Sequence, residues 1–170
     1  VEQSVRDAGE WALLEVGLTR MNPELVTLLG RLKFRTSYGQ NVLNHLVETA
    51  HIASMLASEL GIDPAPVKRA ALLHDLGKAV THEVEGSHAL IGAEIARRFD
   101  EDPAVVHGIE AHHNEVEPRT VLAVIVQAAD AVSAARPGAR RETLEGYVKR
   151  LERLETLAME FPGVDHVFAL

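Results

Sequence analysis

Leu72-Leu73-His74-Asp75-Leu76-Gly77-Lys78 is the stretch whose reading decides the fold. An apolar helical run, with Val67, Ala70, Ala71, Leu72 and Leu73, carries straight into a histidine and an aspartate, and Gly77 loosens the chain just beyond. A helix ending on an imidazole and a carboxylate offers a nitrogen and an oxygen ligand to one point in space. The pair alone is common in proteins. It gains meaning from its partners along the chain: His45 before it, then His88, the doublet His112-His113, and Asp130. Asp130 stands in the apolar run Val121 to Ala135, where a carboxylate is expensive to bury unless a cation or a hydrogen-bond network answers it.

Working outward, the punctuation is that of a helical protein. Asn22-Pro23, Asp63-Pro64, Ser87 and Asp102-Pro103 are helix starts, and Gly61 is a helix stop. Periodicity predicts helices over Val1 to Val16, from Pro23 through Leu32, from Gln40 to Leu60, from Pro64 into His74-Asp75, and from His88 to Phe99. Further helices are predicted from Pro103 to His113, over Val121 to Ala135 (a buried one), and over Glu142 to Glu160. Thr36 to Gly39 reads as a turn, Thr81 to Gly86 as a polar loop, and Val164 to Leu170 could form a short strand. The fold class is all-α, a helical bundle of irregular crossing angles.

Composition narrows the chemistry. The chain has 170 residues, 46% of them hydrophobic, which suits one globular domain with an appended piece. It has no cysteine, so disulfides, thiolate zinc sites and cysteine nucleophiles are excluded. No run is apolar for long enough to cross a bilayer, and the expected location is cytoplasmic, with no membrane contact by this stretch. A start at Val1 fits a segment of a longer protein. The net charge of −8 argues against wholesale electrostatic wrapping of nucleic acid while leaving room for a local basic groove.

The seven candidate metal ligands are His45, His74, Asp75, His88, His112, His113 and Asp130. They are too many for one tetrahedral zinc and fit two divalent ions sharing Asp75. One ion would take His45, His74, Asp75 and Asp130; the other would take Asp75, His88, His112 and His113. Histidine-rich shells favour manganese, iron or zinc over calcium, and magnesium stays open. Such a site attracts phosphate oxygens and acidifies a bound water. Asp75 and Lys78 are the candidate catalytic residues. Lys78, Ser133, Arg136, Arg140 and Arg141 are candidate phosphate contacts, because Lys78 sits one turn past His74 and three arginines crowd the rim of the metal residues in an otherwise acidic chain. His51, His107 and His166 read as ordinary surface or core-edge residues, and His82 as structural.

The order His45, His74-Asp75, His88, His112-His113, Asp130 resembles the HD phosphohydrolase superfamily. RTSYGQN (Arg35 to Asn41), LLHDLGKA (Leu72 to Ala79), HEVEGSHA (His82 to Ala89) and QAADAVSAARPGARRETLEGYVKRLE (Gln127 to Glu152) look more narrowly like the HD domains of the ribonuclease Y family. The resemblance implies an all-α HD-domain bundle over residues 32–140. A helical linker over 1–31 would precede it, and a C-terminal helix and tail over 141–170 would pack on it. It implies a metal-dependent endoribonuclease acting on single-stranded RNA in mRNA turnover, with one or two divalent ions; a homodimer is expected from the apolar faces of the N-terminal part and the Glu142 to Glu160 helix. Full-length members carry a membrane segment, a coiled coil and a KH domain ahead of this region, which would place them at the cytoplasmic face of the membrane. One departure is visible: related two-metal enzymes often place a glutamate one turn before the first histidine, where this chain has Asn41. Two rival readings stand beside it: hydrolysis of a nucleotide or cyclic dinucleotide, and a non-catalytic dimerisation module whose metal is structural.

Overall fold

Short polar side chains set where each helix begins. The computed structural model describes residues 2–81, 86–139 and 144–169. Helix α1 spans Glu2–Val16 and α2 spans Pro23–Arg31, with the Asn22 side chain accepting from the Glu24 N–H at 2.9 Å. The chain makes a single-turn 3₁₀ segment at Leu32–Phe34 and then a minimal hairpin, β1 (Thr36–Ser37) against β2 (Gln40–Asn41). Its loop residues, Tyr38 and Gly39, both lie at positive φ, 52° and 84°. That is the type I′ geometry, whose twist suits a two-residue connection. Asn41 then does double duty: its side chain donates to the Lys33 carbonyl at 2.7 Å and accepts from the Asn44 N–H at 3.1 Å, capping α3 (Val42–Glu59). The position where related enzymes often place a glutamate is thus spent on a helix start.

Asp63 caps α4 (Pro64–Leu73), Ser87 caps α5 (His88–Arg98), Asp102 caps α6 (Pro103–Ala111) and Thr120 caps α7 (Val121–Ala135). Each cap oxygen takes one of the N–H groups that a helix start leaves without an intrahelical partner. A 3₁₀ turn, Leu76–Ala79, follows α4, and α8 covers Leu144–Met159. The fold is all-α apart from the two-residue strands. Residues 164–169 form no strand; among the described residues no strand pairs with the segment.

Helix α3 lies across α4 and α7, α6 packs on α4, α5 and α7, and α1 packs on α2. Leu46, Ala50 and Ala53 of α3 meet Val67, Leu72 and Leu73 of α4, Ile109 of α6 and Val126 of α7 in one core. Helix α7 is less buried than its apolar sequence predicts: Val121, Val124 and Val132 are about half exposed, because the packing helices cover only one of its sides. Helix α8 touches the end of α7 through Arg150, which donates to the Ala135 carbonyl at 3.2 Å. Among the described residues no helix is long and apolar enough to cross a membrane.

Gly77 is what lets the turn after His74-Asp75 seat against α5. A Cβ there would lie 2.0 Å from the His88 carbonyl oxygen and 2.9 Å from the Gly92 nitrogen, so only glycine permits this backbone approach. Gly77→Ala must push α5, and His88 with it, away from the turn. The expected result is a loss of roughly 1–3 kcal/mol in urea unfolding, the usual cost of overpacking, together with weaker binding of divalent cations.

Candidate metal centre

The two histidine doublets work because their helices stop there. On a regular helix, neighbours diverge by about 100° and cannot serve one centre. Helix α4 ends at Leu73; His74 is its last, capping residue and Asp75 leaves the helix at φ −97°, ψ 12°. Helix α6 ends at Ala111 with His112 in the same capping position, and Asn114 turns left-handed at φ 61°. His88 opens α5, His45 sits in the first turn of α3, and Asp130 projects from α7. Two helix C-termini therefore meet here, and their partial negative charge suits a cation.

Asp75 is the centre of the arrangement, with a side chain only 2% exposed. Its two oxygens face opposite ways. Oδ1 lies 3.2 Å from His88 Nε2 and 3.7 Å from His112 Nε2. Oδ2 lies 3.6 Å from His74 Nε2, 3.9 Å from His45 Nε2 and 2.6 Å from the Lys78 ammonium. Asp130 Oδ1 approaches His45 Nε2 at 3.0 Å and His74 Nε2 at 3.8 Å. Two clusters result, Asp75–His88–His112–His113 and His45–His74–Asp130, each with its ligand atoms within 4.8 Å of one another. All seven sequence-predicted ligands come together, and Asp75 adjoins both clusters.

Hydrogen bonding decides whether these groups suit a cation. His74 Nδ1 donates to the Ala71 carbonyl at 2.8 Å and His112 Nδ1 donates to the Ile109 carbonyl at 2.6 Å. A carbonyl only accepts, so in each neutral ring the proton is on Nδ1 and Nε2 carries a lone pair. Those Nε2 atoms, with His88 Nε2 and Asp75 Oδ1, are buried without a hydrogen-bond partner among the described residues. Buried lone pairs turned toward one another are costly unless something positive lies between them. The donor set of imidazole nitrogens and carboxylate oxygens fits a divalent transition metal.

Burial pushes the His74 imidazole down to about 4, against the pull of Asp75 and Asp130. Burial alone would raise the Asp75 carboxyl, but His74, His112, His88 and Lys78 together hold it well below the usual carboxylate range. Asp130 is likewise held low, burial being outweighed by His45 and His74. His113, at the exposed edge, is lowered by burial and by His112 and His88. At neutral pH the folded site therefore combines a neutral His74 with two ionised carboxylates.

The candidate phosphate contacts have different surroundings. Lys78 lines a small cleft with Ser37, Gln40, Val42, His45 and Asp75. Ser133 is wholly buried, its hydroxyl engaged by His45 and Glu48. Arg136 pairs with Glu48. Arg140, Arg141 and His82 lie outside the described residues. Sequence reasoning passed over Glu48, one helical turn after His45 on the same face of α3, and Gln40, whose buried Nε2 has no hydrogen-bond partner among the described residues. The i to i+3 spacing from His45 was the available signal for Glu48. A larger cavity of about 730 Å³ lies between α1 and α2, lined by Glu2, Gln3, Val5, Arg6, Thr27 and Arg31. It shares no residue with the histidine clusters, so the chemistry is assigned to the smaller cleft.

The HD domain family matches residues 42–135, which include all seven ligand candidates. Over the whole chain the sequence is 69% identical to ribonuclease Y of Acidothermus cellulolyticus and 62% identical to ribonuclease Y of Thermoanaerobacter pseudethanolicus. The chain covers 35% and 34% of the length of those relatives. Among solved structures, a predicted HD superfamily hydrolase from an uncultured Thermotogales bacterium superposes with a TM-score of 0.56 at 22% identity, over 81% of this chain and 91% of that one. This last likeness is one of fold.

Two outcomes are expected from the site's electrostatics. Because the apolar core is built without metal, chelation should lower the melting temperature while leaving the helical circular dichroism in place, and manganese should restore it. In chelator, stability should fall as the pH drops from about 6.5 to about 4: the unfolded chain takes a proton at His74 that the folded chain refuses. The loss should be on the order of 3 kcal/mol. Urea unfolding across that range checks it, and His74→Gln should flatten this part of the profile.

Proposed function

The chain belongs to the HD domain family, and on that premise we propose that it is the hydrolytic portion of a metal-dependent endoribonuclease that cuts single-stranded RNA in mRNA turnover. The observation that carries the reading is the buried Asp75 carboxylate, one oxygen turned to each histidine cluster. The ribonuclease Y relatives, 60–69% identical along the chain, support RNA as the substrate. His45, His74 and Asp130 would hold one cation, and Asp75, His88, His112 and His113 the other. Divalent cations bound there would supply positive charge at a phosphate and a water acidic enough to attack it. Manganese, iron and zinc suit the donors best, with magnesium the remaining choice.

The chain's own groups do the rest. Lys78 keeps an ammonium at the cleft, 2.6 Å from Asp75 Oδ2, where it can meet a phosphate oxygen or hand a proton to the leaving oxygen. Gln40 can donate its Nε2 hydrogens to the same phosphate. Arg140 and Arg141 remain proposed contacts to the neighbouring backbone phosphates. With a net charge of −8, RNA affinity in this stretch has to come from such local groups rather than from the overall field. The homodimer belongs to the same proposal. Leu154 and Leu157 of α8, about half exposed, are apolar surface that it would bury, and light scattering tests it.

The activity test compares an unstructured RNA oligomer with mononucleotides and cyclic dinucleotides at matched manganese. RNA cleavage is expected, and Asp75→Ala should reduce it by a factor on the order of 100 or more, the several kcal/mol that metal charge supplies. Wild-type cleavage by Asp75→Ala would remove the reaction from this site. Faster turnover of the small nucleotides would shift the substrate class instead.

A further inference from the structure

We propose that Glu48 is a positioning residue that acts through Ser133 to fix which nitrogen of His45 carries the proton, readying Nε2 for a cation. The inference rests on the reading that His45, His74 and Asp130 hold a metal, and concerns how one ligand is prepared for it. His74 and His112 have their Nδ1 protons fixed by main-chain carbonyls. Among the described residues His45 Nδ1 meets no such carbonyl. Its Nδ1 faces two hydroxyls, Ser133 Oγ at 2.9 Å and Thr49 Oγ1 at 3.4 Å. A hydroxyl can donate or accept, so these contacts alone leave the tautomer open.

Proton accounting closes it. The Thr49 hydroxyl proton is committed to the His45 carbonyl at 2.7 Å. The Ser133 hydroxyl has one proton, and it goes to Glu48 Oε2 at 2.5 Å. Glu48 accepts only, its other oxygen taking the Arg136 guanidinium. Both oxygens beside Nδ1 have thus spent their protons, and each can only accept from it. Nδ1 is therefore the protonated nitrogen. Nε2, 3.0 Å from the co-ligand Asp130, is the one offered to a cation. The relay Arg136–Glu48–Ser133–His45 crosses from α3 to the end of α7 and does for His45 what a carbonyl does for His74 and His112. It also gives Ser133 and Arg136 a task other than meeting phosphate.

Glu48→Gln probes this with little change of shape at a half-buried position. The amide can turn its NH₂ toward Ser133, whose hydroxyl is then free to donate a hydrogen bond to an unprotonated Nδ1, leaving the ring proton on Nε2. Manganese titrations by calorimetry would compare wild type, Glu48→Gln, Ser133→Ala and the double variant. Each single variant should weaken one class of site by roughly 10- to 100-fold, the usual effect of losing a group behind a metal ligand, and leave the other class unchanged. Because Glu48 acts through Ser133, the double variant should bind no more weakly than Ser133→Ala alone. The metal-free melting temperature of Glu48→Gln should match wild type. Tight binding at both sites in Glu48→Gln overturns the proposal, as do additive losses in the double variant or equal losses at both sites with a lowered melting temperature. A wild-type chain that binds no manganese would overturn the metal reading itself, whereas metal binding without RNA cleavage would count only against the substrate.

Discussion

A carboxylate sealed away from water is the constraint on which the rest depends. Asp75 is almost fully buried in a helical protein, and its ionised form is expensive there without compensation. Among the described residues its ion-pair partners all bring nitrogen: four imidazole Nε2 atoms and the Lys78 ammonium. Of these only the Lys78 side chain is an ammonium rather than an imidazole, and it reaches one oxygen. His74 is held neutral by burial, and its lone pair points at oxygen. Lone pair facing lone pair is an arrangement that a divalent ion resolves and that a hydrogen-bond network of these residues alone does not.

The architecture around Asp75 shows how a bundle can deliver candidate ligands from five helical segments to one place. Side chains in the middle of a helix reach a shared point only through i, i+3 or i, i+4 spacing. Here the chain uses ends instead: α4 and α6 finish at the site, α5 begins at it, and the first turn of α3 faces it. Helix ends let adjacent residues such as His74 and Asp75 diverge from helical geometry and converge on the same centre. The requirement moves to the backbone, which must pass closely between ends, and Gly77 against the His88 carbonyl is where that requirement is tightest.

How much of this was legible in the sequence follows the range of each signal. Caps such as Asn22, Asp63, Ser87 and Asp102 act over two or three residues, so helix starts could be read directly. The doublets before Gly77 and Asn114 announced helix ends carrying candidate ligands, and Asp130 in an apolar run announced a buried charge needing an answer. The exposed valines of α7 were not legible, since periodicity cannot say how many sides of an apolar helix are covered. Nor was the partnership of Ser133 and Glu48, 85 positions apart, because a hydroxyl and a carboxylate at that separation carry no pattern until α3 and α7 are packed.

That last gap has a general cause. A metal-ligand motif names the atoms that face the ion, but a neutral imidazole has two nitrogens, and the motif is silent about which is available. The answer lies behind the ring. For His74 and His112 it is the carbonyl three residues earlier, which the helix end supplies without any special side chain. For His45 the groups at Nδ1 are two hydroxyls instead, because the residue lies in the first turn of α3 rather than at a helix end. Side chains must then do the work. A serine alone would leave the proton undecided, and a carboxylate behind the serine decides it. The cost of using a helix start in place of a helix end is thus a relay of two further residues, one from α3 itself and one from α7, which packs on it.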